Sequence, residues 1–364
     1  MNIIEVAKAE WQAVWHDSGV ALIVVFALFI YGIAYSLGYG GEVLDEVPIA
    51  VVGGDEGSIS RELTRTIDAS PKVRVAHEVA DMDEAKQLLR NRKVWGVVSP
   101  SPTFESDILA GRQGRVAILG NAGYFLAYRE VVEGAVTAVQ QMNEQIIERR
   151  NGVYNPPVIY EQRNLFNPSL GYGVFVMPAI ILLIVQQTAL IGIGMVSATR
   201  RERGATLSAS PLVATAGRTL AYLAIYATTL GFMLTLHYSL FDYPMRGKWW
   251  QCVAMVLPYL LAVILLAQAL GALFRHRESP IVWLLWLSVP FLLVSGVSLP
   301  PQAFPQWLYW VGRVVPSSSA VDAWIAIQSR GASLSDIAPQ LTLLWILVIF
   351  YGLLALRANK SSGV

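Results

Sequence analysis

The run GVALIVVFALFIYGIAYSL (19–37) decides how the chain is read. It carries no charge and nearly reaches the roughly 20 residues that a helix needs to cross a bilayer core. The residues before it, MNIIEVAKAEWQAVWHD (1–17), include acids and two tryptophans, and the apolar run is too long for the core of a cleavable signal. A retained membrane span over 18–39 follows.

Five further runs poor in Asp, Glu, Lys and Arg occur at 170–199, 219–241, 249–274, 280–299 and 341–356. They predict spans at 169–199, 214–241, 249–274, 280–299 and 341–357, the last near the lower length limit. The long second run should tilt or kink, with Pro178 as the candidate, and Pro258 and Pro290 stand inside the fourth and fifth. Membrane helices also tolerate proline without any hinge role. Composition agrees: 54% of the 364 residues are hydrophobic and 15% charged, against about 25% charged in soluble chains. Mean hydropathy is +0.48.

Orientation follows from basic residues near the span ends. With the N-terminus inside, Lys8, Arg200, Arg201, Arg203, Arg218, Arg275, Arg277, Arg357 and Lys360 face the cytoplasm, and Arg246, Lys248, Arg313 and Arg330 face outward. That bias predicts six spans with both termini inside and a cytoplasmic tail at 358–364. The net charge of +1 argues against a nucleic-acid partner.

Residues 40–168 differ in kind. Between 41 and 165 there are 18 acidic and 14 basic residues, a solvated composition. VPIAVVGG (47–54), VRVAHEV (73–79), VWGVVSP (94–100) and RVAILG (115–120) read as strands, with helices between them capped by Ser58 and Asp81. Alternation of this kind predicts an inserted α/β domain with a largely parallel sheet, closed by an amphipathic helix over 121–150. At the N-terminus, Ile4, Ala7, Trp11 and Trp15 share one face of an interfacial helix over 1–17. The segment 300–340 is too apolar for a free loop and suggests two short helices parted at Pro316, dipping into the outer leaflet.

Chemistry-bearing motifs are scarce. There is no GxxxxGK[ST], GxSxG or HExxH, the four histidines (His16, His77, His237, His276) are scattered, and Cys252 is alone. No catalytic, cofactor-binding or metal-ligating set is expected. Gln186, Gln187 and Gln268 are the main polar groups at depth, suited to interhelical hydrogen bonds or to substrate contact. Spans almost empty of ionisable groups give little support to ion coupling, so energy for transport must come from another chain. The loop SATRRERGATLSASPL (197–212) holds the sharpest signal. Positive-inside anchoring would need its arginines alone, whereas Glu202, Thr206, Ser208 and Ser210 suggest a short helix able to dock a partner.

These pieces together resemble the permease subunit of a type-2 ATP-binding-cassette exporter, in the subgroup with a large extracytoplasmic domain between the first two spans. The resemblance covers essentially the whole chain. It rests on NLFNPSLGYGVFVMP (164–178), RRERGATLSASP (200–211), DEGSISREL (55–63), PTFESDILAG (102–111) and VSGVSLPPQAFPQWLYWVGRVVP (294–316), in that family's arrangement. The loop departs from the family pattern in that Ala205 separates Gly204 from Thr206 and Ser208 stands where an acid is common. The resemblance implies a cytoplasmic ATPase dimer that binds ATP, a second permease chain of the same or a related kind, membrane lipid and a periplasmic adaptor as partners. It further implies an inner-membrane location in a bacterium and export of an amphipathic small molecule or lipid. It assigns coupling to the element 200–213, through Arg201, Glu202, Arg203, Gly204 and Thr206. It assigns the path and gate to Gln186, Gln187, Pro178, Pro290, Pro305, Trp307 and Pro316. A membrane scaffold or receptor that does not transport is the alternative.

Overall fold

The computed structural model of the protein describes residues 1–39, 45–53, 57–91, 93–120, 125–149, 172–204, 209–243, 245–296 and 304–361. They fall into two units, Met1–Gly40 with Asn164–Val364, and Gly41–Arg163.

The first unit is helical. Five helices are long and apolar enough to cross a membrane: Ser18–Gly38, Ala179–Glu202, Pro211–Leu240, Trp249–Gly271 and Ala338–Lys360. They are called here the first, second, third, fourth and last spans. The second is central, with 78% of its apolar window buried, whereas the last, at 22%, turns most of its surface outward. Small residues let the helices close. A Cβ on Gly192 would lie 2.2 Å from a Val24 methyl, and one on Gly271 would lie 2.9 Å from the Ser197 hydroxyl. The first and third spans each hold one π-helical turn, Leu22–Phe26 and Met233–His237. These spans also meet where Gly32 faces Met233, whose terminal methyl would be 2.0 Å from an added Cβ.

The segment expected as a fifth span over 280–299 is shorter and broken. It is helical over Ser279–Trp286 and Ser288–Val294, with Leu287 between the pieces, and 297–299 lie outside the described residues. Pro290 has no N–H for the carbonyl four residues back, that of Trp286, which places the break one residue after it. At 1.5 Å per residue the pair reaches about 24 Å, short of a hydrocarbon core of roughly 30 Å. The expected 200–213 element is also shorter. Arg200–Glu202 complete the helix Tyr172–Glu202, and the third span starts at Pro211, with the Ser210 side chain accepting from the Val213 amide at 3.3 Å. Proline at the first helical position is pre-set for such a start. Beyond, Gln306–Val314 and Pro316–Arg330 form a helical pair. In the second of these Val315 takes the cap position and Pro316 the first turn, and Ser317–Ser319 are buried within the helix.

The second unit is a four-stranded sheet in the order β2-β1-β3-β4, from Val47–Val52 (β1), Val73–Val79 (β2), Gly96–Pro100 (β3) and Val116–Gly120 (β4). β1 pairs in parallel with β2 and β3, while β4 runs antiparallel to β3. The link between β3 and β4 holds only the short helix Phe104–Leu109 and turns back at Gly111, whose φ is +76°. Helices Ser58–Asp68 and Phe125–Arg149 cover one face through Leu63, Ile67, Val131, Ala135 and Met142, and Met82–Arg90 covers the other through Ala85. Asp81 caps Met82–Arg90 as its position suggests, accepting from Asp83 and Glu84 amides at 2.9 and 2.8 Å. Ser58 does not cap the earlier helix. The Glu105 carboxylate does, taking the Ser58 and Ile59 amides at 3.0 and 3.3 Å.

Candidate functional site

The N-terminal helix Ile3–His16 opens with a capping box, in which Asn2 and Glu5 exchange backbone-to-side-chain hydrogen bonds of 2.9 Å. Its exposed face carries Ile4, Trp11 and Trp15, the face that sequence assigned to the membrane surface. The opposite face is buried through Val6, Glu10 and Val14, at i, i+4, i+8 spacing. Val6 lies over Gly217 of the third span, where a Cβ would stand 2.6 Å from the Val6 Cβ and 2.8 Å from the Ile3 carbonyl oxygen. This close seat is what carries Glu10 into the protein.

Glu10 is 1% exposed, and two helices supply its partners. Arg200, at the end of the second span, donates through Nη2 to Oε2. Tyr222 of the third span donates to Oε1 at 2.8 Å, and Arg218 Nε stands 3.8 Å from Oε2. Arg218 Nη1 donates to Asn359 Oδ1 on the last span at 2.6 Å, and Asn359 Nδ2 donates to Thr215 Oγ1 at 2.7 Å. Burial by itself would push the Glu10 carboxyl up. The two guanidiniums, and the hydrogen bonds from Tyr222 and Arg200, outweigh it and hold the group below the usual carboxylate range.

A second polar cluster stands beside it. Arg277 Nη2 donates to Asp17 Oδ1 at 2.6 Å, and the Arg277 amide donates to Glu202 Oε1 at 3.0 Å. His276 Nδ1 is 3.6 Å from the same Glu202 oxygen, and Arg201 donates to the Phe274 carbonyl. Of the residues assigned to coupling, Arg201 and Glu202 therefore clasp the 274–277 turn of their own chain. Arg203 and Gly204 are exposed, and Gly204, with φ +60°, ends the helix. Thr206 lies outside the described residues.

The residues assigned to the path divide. Gln186 Oε1 accepts from the Ser317 amide at 3.0 Å, so a side chain of the second span satisfies a buried N–H at the start of Pro316–Arg330. Pro316 is buried beside it, and Gln187 Nε2 donates to the Leu284 carbonyl at 2.8 Å. Tyr351 of the last span donates to the Val314 carbonyl at 2.6 Å, which pins the same elbow from the other side. Gln186 Nε2, Gln187 Oε1 and the Ser317 and Ser318 hydroxyls are buried there without a hydrogen-bond partner among the described residues. Pro290, Pro305 and Trp307 are exposed and not part of this junction. Pro178 belongs to the helix Tyr172–Glu202, but its side chain is not among those described.

Sequence reasoning did not single out Glu10, Tyr222 or Asn359. The available signal was an acid midway between Val6 and Val14, opposite the tryptophan face. A third network, around His237, was also missed. Its Nε2 meets Ser36 Oγ at 2.9 Å and the Gly32 carbonyl at 3.2 Å, and Tyr243 donates to the same serine at 3.0 Å. Among the described residues, no three His, Cys, Asp or Glu side chains are grouped to hold a metal ion.

Comparison with known proteins adds to this geometry. The sequence model of a family described as ABC-2 family transporter protein matches residues 18–357. The chain is 23% identical over 380 aligned positions to the inner membrane transport permease YhhJ of Escherichia coli (strain K12), covering 100% of this chain and 98% of that one. The same figures hold for the protein of that name from Shigella flexneri. No solved structure matches.

Proposed function

The chain belongs to the ABC-2 transporter family, and from that premise we propose that it is the permease half of an ATP-driven exporter. It is a multi-pass protein of the inner membrane and a transport subunit, in keeping with its apolar helices and with relatives named as inner membrane transport permeases. Family membership implies an ATP-binding-cassette ATPase as partner. In the proposed assembly two permease chains, identical or related, stand over two such ATPases. Each has six crossings with both termini inside, the fifth made by Ser279–Val294 together with the helical pair after it. The α/β unit lies outside the membrane and meets an adaptor or receives substrate.

The observation that carries this reading is the Glu10 junction. One carboxylate ties the N-terminal helix to the ends of both the second and the third spans. A push on that helix, or on the loop between Glu202 and Pro211, would move both spans as one body. Gln186 passes the displacement on, because it holds the elbow at Ser317 about 24 Å along the same helix from Glu202. The unpartnered groups at that elbow are neutral, which suits an amphipathic small molecule or a lipid better than an ion. Glu202 acts by positioning the 274–277 turn, and Arg203 and Gly204, both exposed, meet the ATPase.

The test begins with the tagged full chain purified from its native membranes. An ATPase carrying a P-loop should co-purify, and the pair in proteoliposomes should export an amphipathic dye only with ATP. Glu202→Ala should lower dye exported per ATP hydrolysed. Absence of any ATPase, or dye export indifferent to ATP, would overturn the proposal.

A further inference from the structure

Beside Glu10 the basic groups outnumber the acidic ones. Arg200, Arg201 and Arg218 line a partly open cavity together with Ser197, Gln268 and Asn359. Glu10 is the one carboxylate paired with Arg200 or Arg218 among the described residues, and it uses both oxygens, on Arg200 and Tyr222. Arg218 is 5% exposed, and its Nε and Nη2 have no hydrogen-bond partner among the described residues, nor does Nη1 of Arg200. Buried guanidinium donors without acceptors are costly, and an excess of buried positive charge more so.

Carbonyls at the end of the second span offset part of that charge through the helix dipole. They do not reach the donors that Arg218 leaves open. A group that would satisfy them must be negative, must accept several hydrogen bonds, and must match a planar fork. Phosphate oxygens meet these terms, and arginine binds them in pairs. The enclosed space is about 20 Å³, room for one oxygen-sized group, so the rest of the ligand must remain at the mouth. Arg200 stands two residues from the end of the second span and Arg218 seven residues into the third, so the cavity lies near the ends of both helices.

We propose that Arg200, Arg201 and Arg218 form a binding site for a phosphate-type oxyanion, which completes the charge balance of the Glu10 junction. The anion inserts one oxygen toward Arg218 and Arg200 and competes with Glu10 for the same guanidiniums. Two sources share this chemistry, an anionic phospholipid headgroup and free phosphate. The inference concerns binding and does not depend on the direction of transport.

The sign of two substitutions tests it. The full chain, delipidated in a neutral detergent, is titrated with sodium phosphate in one arm and with phosphatidylglycerol in mixed micelles in the other. Sodium chloride at matched ionic strength is the control. Saturable binding is read by native mass spectrometry and by the midpoint of thermal unfolding. Arg218→Gln should weaken binding by about tenfold or more, the loss of a charge-assisted hydrogen bond. Glu10→Gln, which removes the internal competitor and keeps its shape, should tighten it. Binding in the phosphate arm alone identifies a free anion, and binding in the lipid arm alone identifies a headgroup; either supports the site. Should Arg218→Gln fail to fold, Glu10→Gln still decides by its direction. Saturation in neither arm, or weaker or unchanged binding in Glu10→Gln, would overturn the site and leave the exporter reading standing.

Discussion

Glu10 owes its burial to the helix beneath it and its charge to Arg200 and Arg218. Breaking a buried pair by removing one partner costs about 3–5 kcal/mol, because the other charge is left uncompensated. Glu10→Ala should therefore lower the stability of the purified chain by about that much, and Glu10→Ala with Arg200→Ala by less than the sum of the single losses. Thermal unfolding of the three variants checks this. The pH dependence has a definite sign. The folded-state carboxyl of Glu10 lies below its ordinary value, so its contribution is fully present above the unfolded value. It is lost as pH falls through the lower, folded one. Wild-type stability should fall more steeply below about pH 4.5 than that of Glu10→Gln. Parallel curves would show that Glu10 is not the group titrating.

At the scale of elements, one close contact and one break set how the helices lie. Gly217 allows the N-terminal helix to lie against the third span, and Val6, which is β-branched and stiff, offers no slack at 2.6 Å. Gly217→Leu should lift that helix at a cost of about 1–3 kcal/mol, the range for overpacking. Its peptide bonds should then be cut faster in limited proteolysis, while the Gly41–Arg163 unit is cut at an unchanged rate. Pro290 breaks the short apolar helix at Leu287. Pro290→Ala restores the missing N–H, so amides at 288–291 should exchange more slowly with solvent deuterium. If that break is part of the export path, dye export per ATP should fall in the same variant.

The whole molecule joins two bodies of different chemistry. The unit Gly41–Arg163 has apolar cores on both faces of its sheet, so that unit expressed alone should unfold cooperatively with heat. The helical unit shows large apolar side chains outward, Trp283, Trp286, Trp307 and Trp310 among them, as a surface meeting lipid or a second chain would. Reporter fusions check the proposed topology. One after Lys360 should be active only as a cytoplasmic reporter, and one inserted at Gln113 only as an exported one. Any other pairing would overturn the orientation.

What the sequence alone determined is the alternation of lipid-soluble and water-soluble stretches. Charge gaps and strand or helix periodicity are local properties, read within a window of about 20 residues. The first-span run, the strands from Val47 to Gly120 and the surface face of Ile4, Trp11 and Trp15 were legible for that reason. Pro290 was legible too, though its consequence, a helix cut short of a full crossing, was not. The Glu10 junction had only a faint local mark, because its members are separated by up to about 350 positions and none is unusual in its own window. Only tertiary structure, by seating Val6 on Gly217, brings Glu10 between Arg200 and Arg218 and makes a buried charge cluster of residues that otherwise read as anchors. The physical reason is distance: a hydrophobic pattern sums along the chain, while an ion pair exists only where helices close to a few ångströms.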